Sequence, residues 1–263
     1  MKITVLVENT TRDGRLTAEH GLSLYIETEK HRVLFDMGQG DAFVRNADTL
    51  GIDLSSVDIA VLSHGHYDHG GGISSFFKIN KKAPVCVSRY AFGEHLNAEG
   101  KYIGLNKKLA GNDRLFYVND FLEIDEELSI YSCNAELRSY PADSAGLGCV
   151  CNGERGEDDF LHEQYLLIKE KGKRVLISGC SHKGILNICE WFRPDVLVGG
   201  FHFMKLDTEG EGREKLLAYA DALSSFPTRY YTAHCTGVEQ YAVLKGRMKD
   251  KLEYLSCGGA VEI

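Results

Sequence analysis

Two stretches far apart in the chain echo each other: YIETEKHRVLFDMG at 25–38 and LIKEKGKRVLISGC at 167–180. Each reads as an apolar strand, a charged turn, a second apolar strand and a polar or glycine end, the pattern of a β-hairpin. A helical stretch follows in both copies, with Phe43, Ala47 and Leu50 on one face in the first and Ile185, Ile188 and Phe192 in the second. Short apolar strands come next, VDIAVLS at 57–63 and PDVLVGG at 194–200, and they run into HGH and FHF. Two β-rich halves, each with helices on one side, predict an α/β fold: a four-layer αββα sandwich with an internal pseudo-twofold repeat. Polar residues then gather at the strand ends along one edge.

The chain has 263 residues, 43% of them hydrophobic, which is enough for a substantial core. With only four prolines and no Ser/Gly linker, residues 1–263 are expected to form a single domain. PVCVS, LFYV and LSIY predict further strands, with FGEHLNAEGKYIGLNKK as an insertion able to flank a site. Residues 141–163, rich in glycine and acid and without periodicity, predict a mobile surface loop. Farther on, Leu216, Ala220 and Leu223 mark a helix face, RYYTA a strand ending in His234, and Val238–Met248 another helix.

A net charge of −8 argues against nucleic acid as a partner. The apolar start MKITVLV is too short for a secretion signal, and no stretch reaches the ~18 apolar residues of a membrane span. A cytoplasmic protein with no membrane partner is expected; the oligomeric state is left open. The eight cysteines are scattered and read mostly as buried thiols, with Cys149 and Cys151, lacking C-x-x-C spacing, in a metal-free loop.

SHGHYDHGGG at 63–72 concentrates His64, His66, Asp68 and His69 at a strand end. Imidazole and carboxylate are the ligands of catalytic zinc sites, which keep a position open for water. His202 of VGGFHF falls near the place of His64 in the echo, as a ligand, a substrate contact or a proton donor to a leaving group, with a packed core histidine as the alternative. His95 and His162 sit in polar contexts and read as solvated loop histidines.

The run VDIAVLSHGHYDHGGGI closely resembles the metal-binding signature of the metallo-β-lactamase superfamily. The resemblance implies that His64 and His66 bind one zinc, and that Asp68 and His69 contribute to a second. Asp36 matches an aspartate that braces the site, with capping or direct catalysis both open. Where the superfamily usually carries a bridging aspartate, this chain has Cys180, a ligand or a nearby buried thiol; His182 is implied as a further ligand, since the usual separate third histidine motif is absent between 70 and 170. His234 of YYTAHCTG stands where the family's last histidine joins the second metal.

AEHGLSLYIE, GCSHKGI, GGFHF and HCTG extend the resemblance, over nearly the whole chain, to a cytoplasmic branch of metal-dependent hydrolases that includes dihydropterin ribofuranosylaminobenzene phosphate synthase-like proteins. His20 recurs in that branch, near the site or as a turn cap. The implied activity is hydrolysis of a small-molecule ester, thioester, lactone or phosphoester by a metal-bound hydroxide at a binuclear zinc centre, with manganese or iron left open. Asp68 would orient or deprotonate the water, and His202 would assist the leaving group. β-Lactam resistance is disfavoured for want of an export signal, and tRNA processing for want of a basic arm. The alternatives are a synthase of the methanopterin-pathway type acting on a pterin-linked or ribosyl phosphate substrate, with Lys183 as phosphate contact, and a metal-containing ligand sensor.

Overall fold

The computed structural model describes residues 1–263. In chain order its strands are β1 (Lys2–Val7), β2 (Ser23–Glu27), β3 (Arg32–Phe35), β4 (Ile59–Val61), β5 (Val85–Ser88), β6 (Glu94–Leu96), β7 (Leu115–Val118), β8 (Phe121–Glu123) and β9 (Leu128–Tyr131). They continue as β10 (Gly148–Cys151), β11 (Glu154–Glu157), β12 (Tyr165–Glu170), β13 (Lys173–Ile177), β14 (Val196–Val198), β15 (Arg229–Thr232), β16 (Leu252–Tyr254) and β17 (Ala260–Glu262). The α-helices are α1 (Ala42–Thr49), α2 (Tyr67–Gly70), α3 (Ile73–Ile79), α4 (Ile185–Phe192), α5 (Gly210–Ser225) and α6 (Val238–Met248).

Two seven-stranded sheets, β17-β1-β2-β3-β4-β5-β7 and β16-β15-β14-β13-β12-β9-β8, form the frame. The internal echo is a duplication of this pairing. From β1 to β7 the neighbours pair antiparallel twice and then parallel three times, and from β9 to β16 the same succession recurs. The two hairpins align residue for residue, Leu24 opposite Phe35 in one and Leu166 opposite Ile177 in the other.

Alternation along the strands sorts side chains into three apolar layers. Leu24, Ile26, Val33 and Phe35 meet Leu166, Ile168, Val175 and Ile177 between the sheets. On the outer face of the first sheet, Leu34, Ala60 and Leu62 pack under Phe43 and Ala47 of α1 and Ile73 and Phe76 of α3. Leu167, Leu176, Leu197 and Tyr230 do the same under α4, α5 and α6. The expected αββα sandwich with its pseudo-twofold repeat is therefore present, and the predicted helix faces at 185–192 and 216–223 are buried. No helix is long and apolar enough to cross a membrane.

The expectation of a mobile loop at 141–163 is wrong. β10 and β11 form a hairpin that joins β6 in a third, three-stranded sheet, with Cys149 opposite His95. Cys149 and Cys151 consequently lie on a strand, as free thiols. The strand pattern was illegible because β11, Glu-Arg-Gly-Glu, is exposed throughout and shows no alternation. Beyond it, Asp158, Phe160, His162 and Glu163 are buried by tertiary contacts that no local period announces.

Candidate metal centre

Strand β4 delivers Ser63 and His64 to the sheet edge, and α2 starts at Tyr67 with His66 as its N-cap. That abrupt strand-to-helix change turns four successive polar side chains toward one space. The 93–112 segment flanks this turn: His66 pairs with Gly104, and the Tyr67 N–H donates to the Ile103 carbonyl at 2.9 Å. From the second sheet, the turn after β13 brings Cys180 and His182, and the ends of β14 and β15 bring His202 and His234. Asp36, Ser181, His202 and His234 all have positive φ, between 53° and 58°. Non-glycine residues pay for this left-handed backbone in strain, and its concentration at one edge is the pattern of a functional site.

Buried carboxylates hold the turns. Glu163 accepts from the His182 N–H at 2.7 Å, the Lys183 N–H at 3.0 Å and the Tyr165 hydroxyl at 2.7 Å. Glu8 accepts from the His234 N–H at 3.1 Å and the Tyr254 hydroxyl at 2.9 Å. Asp36, fully buried, accepts from the Ser63 N–H and hydroxyl, each at 2.7 Å, and lies 2.7 Å from His69 Nδ1. It orients two neighbours, a bracing role.

These partners fix the ring tautomers. His69 Nδ1 donates to Asp36, and His234 Nδ1 donates to Asn9 Oδ1 at 2.8 Å. The Ser63 hydroxyl gives its proton to Asp36, so at 2.8 Å it accepts from His64 Nδ1. In the neutral form of each ring Nε2 carries the lone pair. His69 Nε2 faces His234 Nε2 at 3.2 Å, and His64 Nε2 faces His66 Nδ1 at 3.0 Å and His182 Nε2 at 3.3 Å. Buried lone pairs pointing at one another repel unless a cation lies among them, so this donor set fits a metal.

The groups fall into two overlapping clusters. His64, His66 and His182 form one; His69 and Cys180 adjoin it, with Cys180 Sγ 3.2 Å from His69 Nε2. Asp68 Oδ2 lies 3.4 Å from His234 Nε2, 3.5 Å from His69 Nε2 and 3.4 Å from Nε2 of the half-exposed His20. Burial pushes His64, His66 and His182 well below the ordinary imidazole range, which leaves them neutral, as metal binding requires. Burial works against the charge of His69 too, but the Asp68 and Asp36 carboxylates outweigh it and raise its pKa. Asp68 is raised by burial and lowered further by His69 and His234, a net shift below the usual carboxylate range. Burial pushes the Cys180 thiol up.

All eight residues singled out from the sequence meet at this edge: His64, His66, Asp68, His69, Cys180, His182, His202 and His234. His202 stands at the rim, its ring 4.3 Å edge-on from His182 and its pKa lowered to about 4 by burial and Lys205. Two expectations need correction. Lys183 is no rim residue: it is fully buried and donates to the carbonyls of Ser132 and Glu163 and to Asn134 Oδ1. His95 and His162 are not solvated: they are 4% and 1% exposed and gather with His66 and Asp158. Asn9, Ser63, Glu8 and Glu163, which set tautomers and turns, carry no motif that marks them in the sequence.

The family model for the metallo-beta-lactamase superfamily matches residues 16–144. The uncharacterized protein MJ0448 of Methanocaldococcus jannaschii is 30% identical over 246 residues, 89% of this chain and 90% of its own. The 7,8-dihydropterin-6-methyl-4-(beta-D-ribofuranosyl)-aminobenzene-5'-phosphate synthase of the same organism is 27% identical over 274 residues, 93% of this chain and 90% of its own. Among solved structures, Tm1679, a metal-dependent hydrolase of the beta-lactamase superfamily, superposes with a TM-score of 0.80 at 29% identity, covering 100% of this chain and 99% of that one. With the strand-end clusters, the duplicated sheets and these likenesses in agreement, the chain belongs to the metallo-beta-lactamase superfamily.

Proposed function

We propose that the protein is a metal-dependent hydrolase that holds two zinc ions and acts on a small-molecule ester, thioester, lactone or phosphoester. The observation that carries this reading is the convergence of buried ring nitrogens, the His64 lone pair on His66 Nδ1 and His182 Nε2, and the His69 and His234 Nε2 atoms on each other. In this reading His64, His66 and His182 would hold one ion, Asp68, His69 and His234 would hold the other, and Cys180 would supply a thiolate donor. Nitrogen, carboxylate and thiolate donors suit zinc; manganese and iron are the rivals that metal analysis would detect. The chemistry such a pair supplies when bound is activation of water and polarisation of the scissile group.

The chain's own residues do the rest. Asp68, held ionised, is a weak proton acceptor and a strong hydrogen-bond acceptor, suited to orienting a water rather than keeping its proton. His202 is neutral near pH 7 and presents a ring N–H to a leaving group's heteroatom. Asp36 fixes His69, Glu163 fixes the His182 turn and Asn9 fixes His234. The test is turnover of simple ester, thioester, lactone and phosphoester substrates before chelation, after it and after zinc is restored. Turnover lost and regained supports the hydrolase; turnover indifferent to chelation contradicts it.

A second reading, a synthase acting on a pterin-linked or ribosyl phosphate substrate, is favoured by the relative of that name. It loses its one sequence-based phosphate contact, because Lys183 is buried with its ammonium fully engaged. Binding of a ribosyl phosphate, with no turnover of the hydrolase substrates, would favour it.

A further inference from the structure

Beside His66 lies a buried group that the proposed centre does not use: His95 on β6, Asp158 just after β11, and His162. With His66 they bring four atoms of metal-ligand type within 4.8 Å of one another. The hydrogen bonds decide what the group is. The Gly65 N–H donates to His162 Nδ1 at 2.9 Å, so Nδ1 is a lone pair and the ring proton sits on Nε2. Nε2 in turn faces Asp158 Oδ2 at 3.3 Å and donates to it. The same Asp158 oxygen lies 3.0 Å from His95 Nδ1, and His95 Nε2 lies 3.3 Å from the Tyr90 carbonyl. A metal among these residues would need a free lone pair on His162, but Nδ1 already accepts from Gly65 and Nε2 carries the proton given to Asp158. The cluster is therefore a hydrogen-bonded support.

Its point of attachment is the peptide between His64 and His66. Gly65 has no side chain to anchor it, and a Cβ there would strike the Ala91 carbonyl and press on His95 Nε2. Within the turn that aims His64 Nε2 at His66 Nδ1, the Gly65 N–H donates to a side chain, and that acceptor is His162 Nδ1. We propose that His162, kept in a single tautomer by Asp158 and backed by His95, is a positioning residue for the His64-Gly65-His66 turn, and that through it the small sheet β6-β10-β11 is tied to the first metal position. The proposal rests on the reading that His64, His66 and His182 hold a metal.

The geometry separates the two ends of the His162 ring. Asparagine places its amide oxygen near Nδ1 and can still accept from Gly65; glutamine reaches the Nε2 position and can still meet Asp158, but leaves Gly65 without its acceptor. The experiment measures zinc affinity by chelator competition, and the visible absorption of the cobalt-substituted protein, for wild type, His162→Asn, His162→Gln and Asp158→Asn, each checked for folding by circular dichroism. His162→Gln is expected to weaken one zinc by about 10–100-fold and to shift the cobalt spectrum, the cost usual for a lost outer partner, with His162→Asn recovering most of the affinity. Asp158→Asn, which frees the tautomer, should fall between them. Equal affinity in all four proteins, or equal losses in the asparagine and glutamine variants, would overturn the positioning role. A third equivalent of zinc in wild type that disappears in Asp158→Asn would overturn it in favour of a metal site. Wild type that binds no zinc would defeat the metal-centre reading itself, a result distinct from two bound zinc ions with His162→Gln unaffected.

Discussion

The two halves of the sandwich have the same succession of strand pairings, yet they load their edges differently. The first half places His64, His66, Asp68 and His69 on one strand-to-helix turn, whereas the second spreads Cys180, His182, His202 and His234 over the ends of three strands. The supports differ in the same way. Asp36, from the neighbouring strand, braces Ser63 and His69 together, while the second half uses one buried glutamate per turn, Glu163 for His182 and Glu8 for His234. The difference teaches that duplication supplied the frame and not the site. Neither half alone has a complete cluster, because His64 needs His182 and His69 needs His234 to face them.

The largest effect expected is on the metal-free protein at low pH. His64, His66 and His182 are pushed well below the ordinary imidazole value, and burial lowers His162 and His202 to about 4. Between pH 6.5 and about 4 the unfolded chain, whose histidines titrate near 6.5, binds more protons than the folded one, so stability falls as pH falls. His20 is lowered as well, while His69 and His31, with raised pKa values, oppose this, so six lowered imidazoles outweigh two raised ones. Thermal melts of the chelated protein should show the midpoint dropping steadily over that window; a midpoint independent of pH would contradict the neutral burial of these rings.

Next come the matched core positions. Leu24 and Leu166 occupy equivalent places in the two hairpins and are both buried. Leu24→Ala and Leu166→Ala should each cost roughly 2–5 kcal/mol in urea unfolding. Similar losses would support equal structural weight for the halves, and a large inequality would break the comparison.

His66→Ala and His234→Ala sharpen it from the other side. Zinc binding of roughly 10–16 kcal/mol shared by four ligands is about 3 kcal/mol per ligand, or ~100-fold in affinity. Each variant should lose one ion and leave the other, read by chelator competition. A smaller loss, about 10–100-fold, is expected for Asp36→Asn, whose single amide oxygen cannot serve both Ser63 and His69 Nδ1, while every ligand stays in place.

Much of the frame was legible because burial on one face leaves a period. Phe43 and Ala47, Ile185 to Phe192, and Leu216 to Leu223 all lie where the spacing put them. His64 to His69 were equally legible, since four polar groups in six residues at the end of an apolar strand have no other cheap explanation. The hairpin of β10 and β11 was not, because an exposed strand has no alternation to read. His95 and His162 were misread for a related reason: their burial comes from long-range contacts, β6 with β10 and His162 with the turn after β4, that leave no local trace. Lys183 was misread because position beside a ligand says nothing about where a long side chain points.

The most direct test of the central claim is the zinc content of wild type, His66→Ala and His234→Ala, purified without added metal or chelator and measured by elemental analysis and native mass spectrometry. The converging ring nitrogens predict two zinc ions per wild-type chain and one in each variant, the remaining ion differing between them. Wild type free of metal and unable to take up zinc, or variants that keep both ions, would contradict the account.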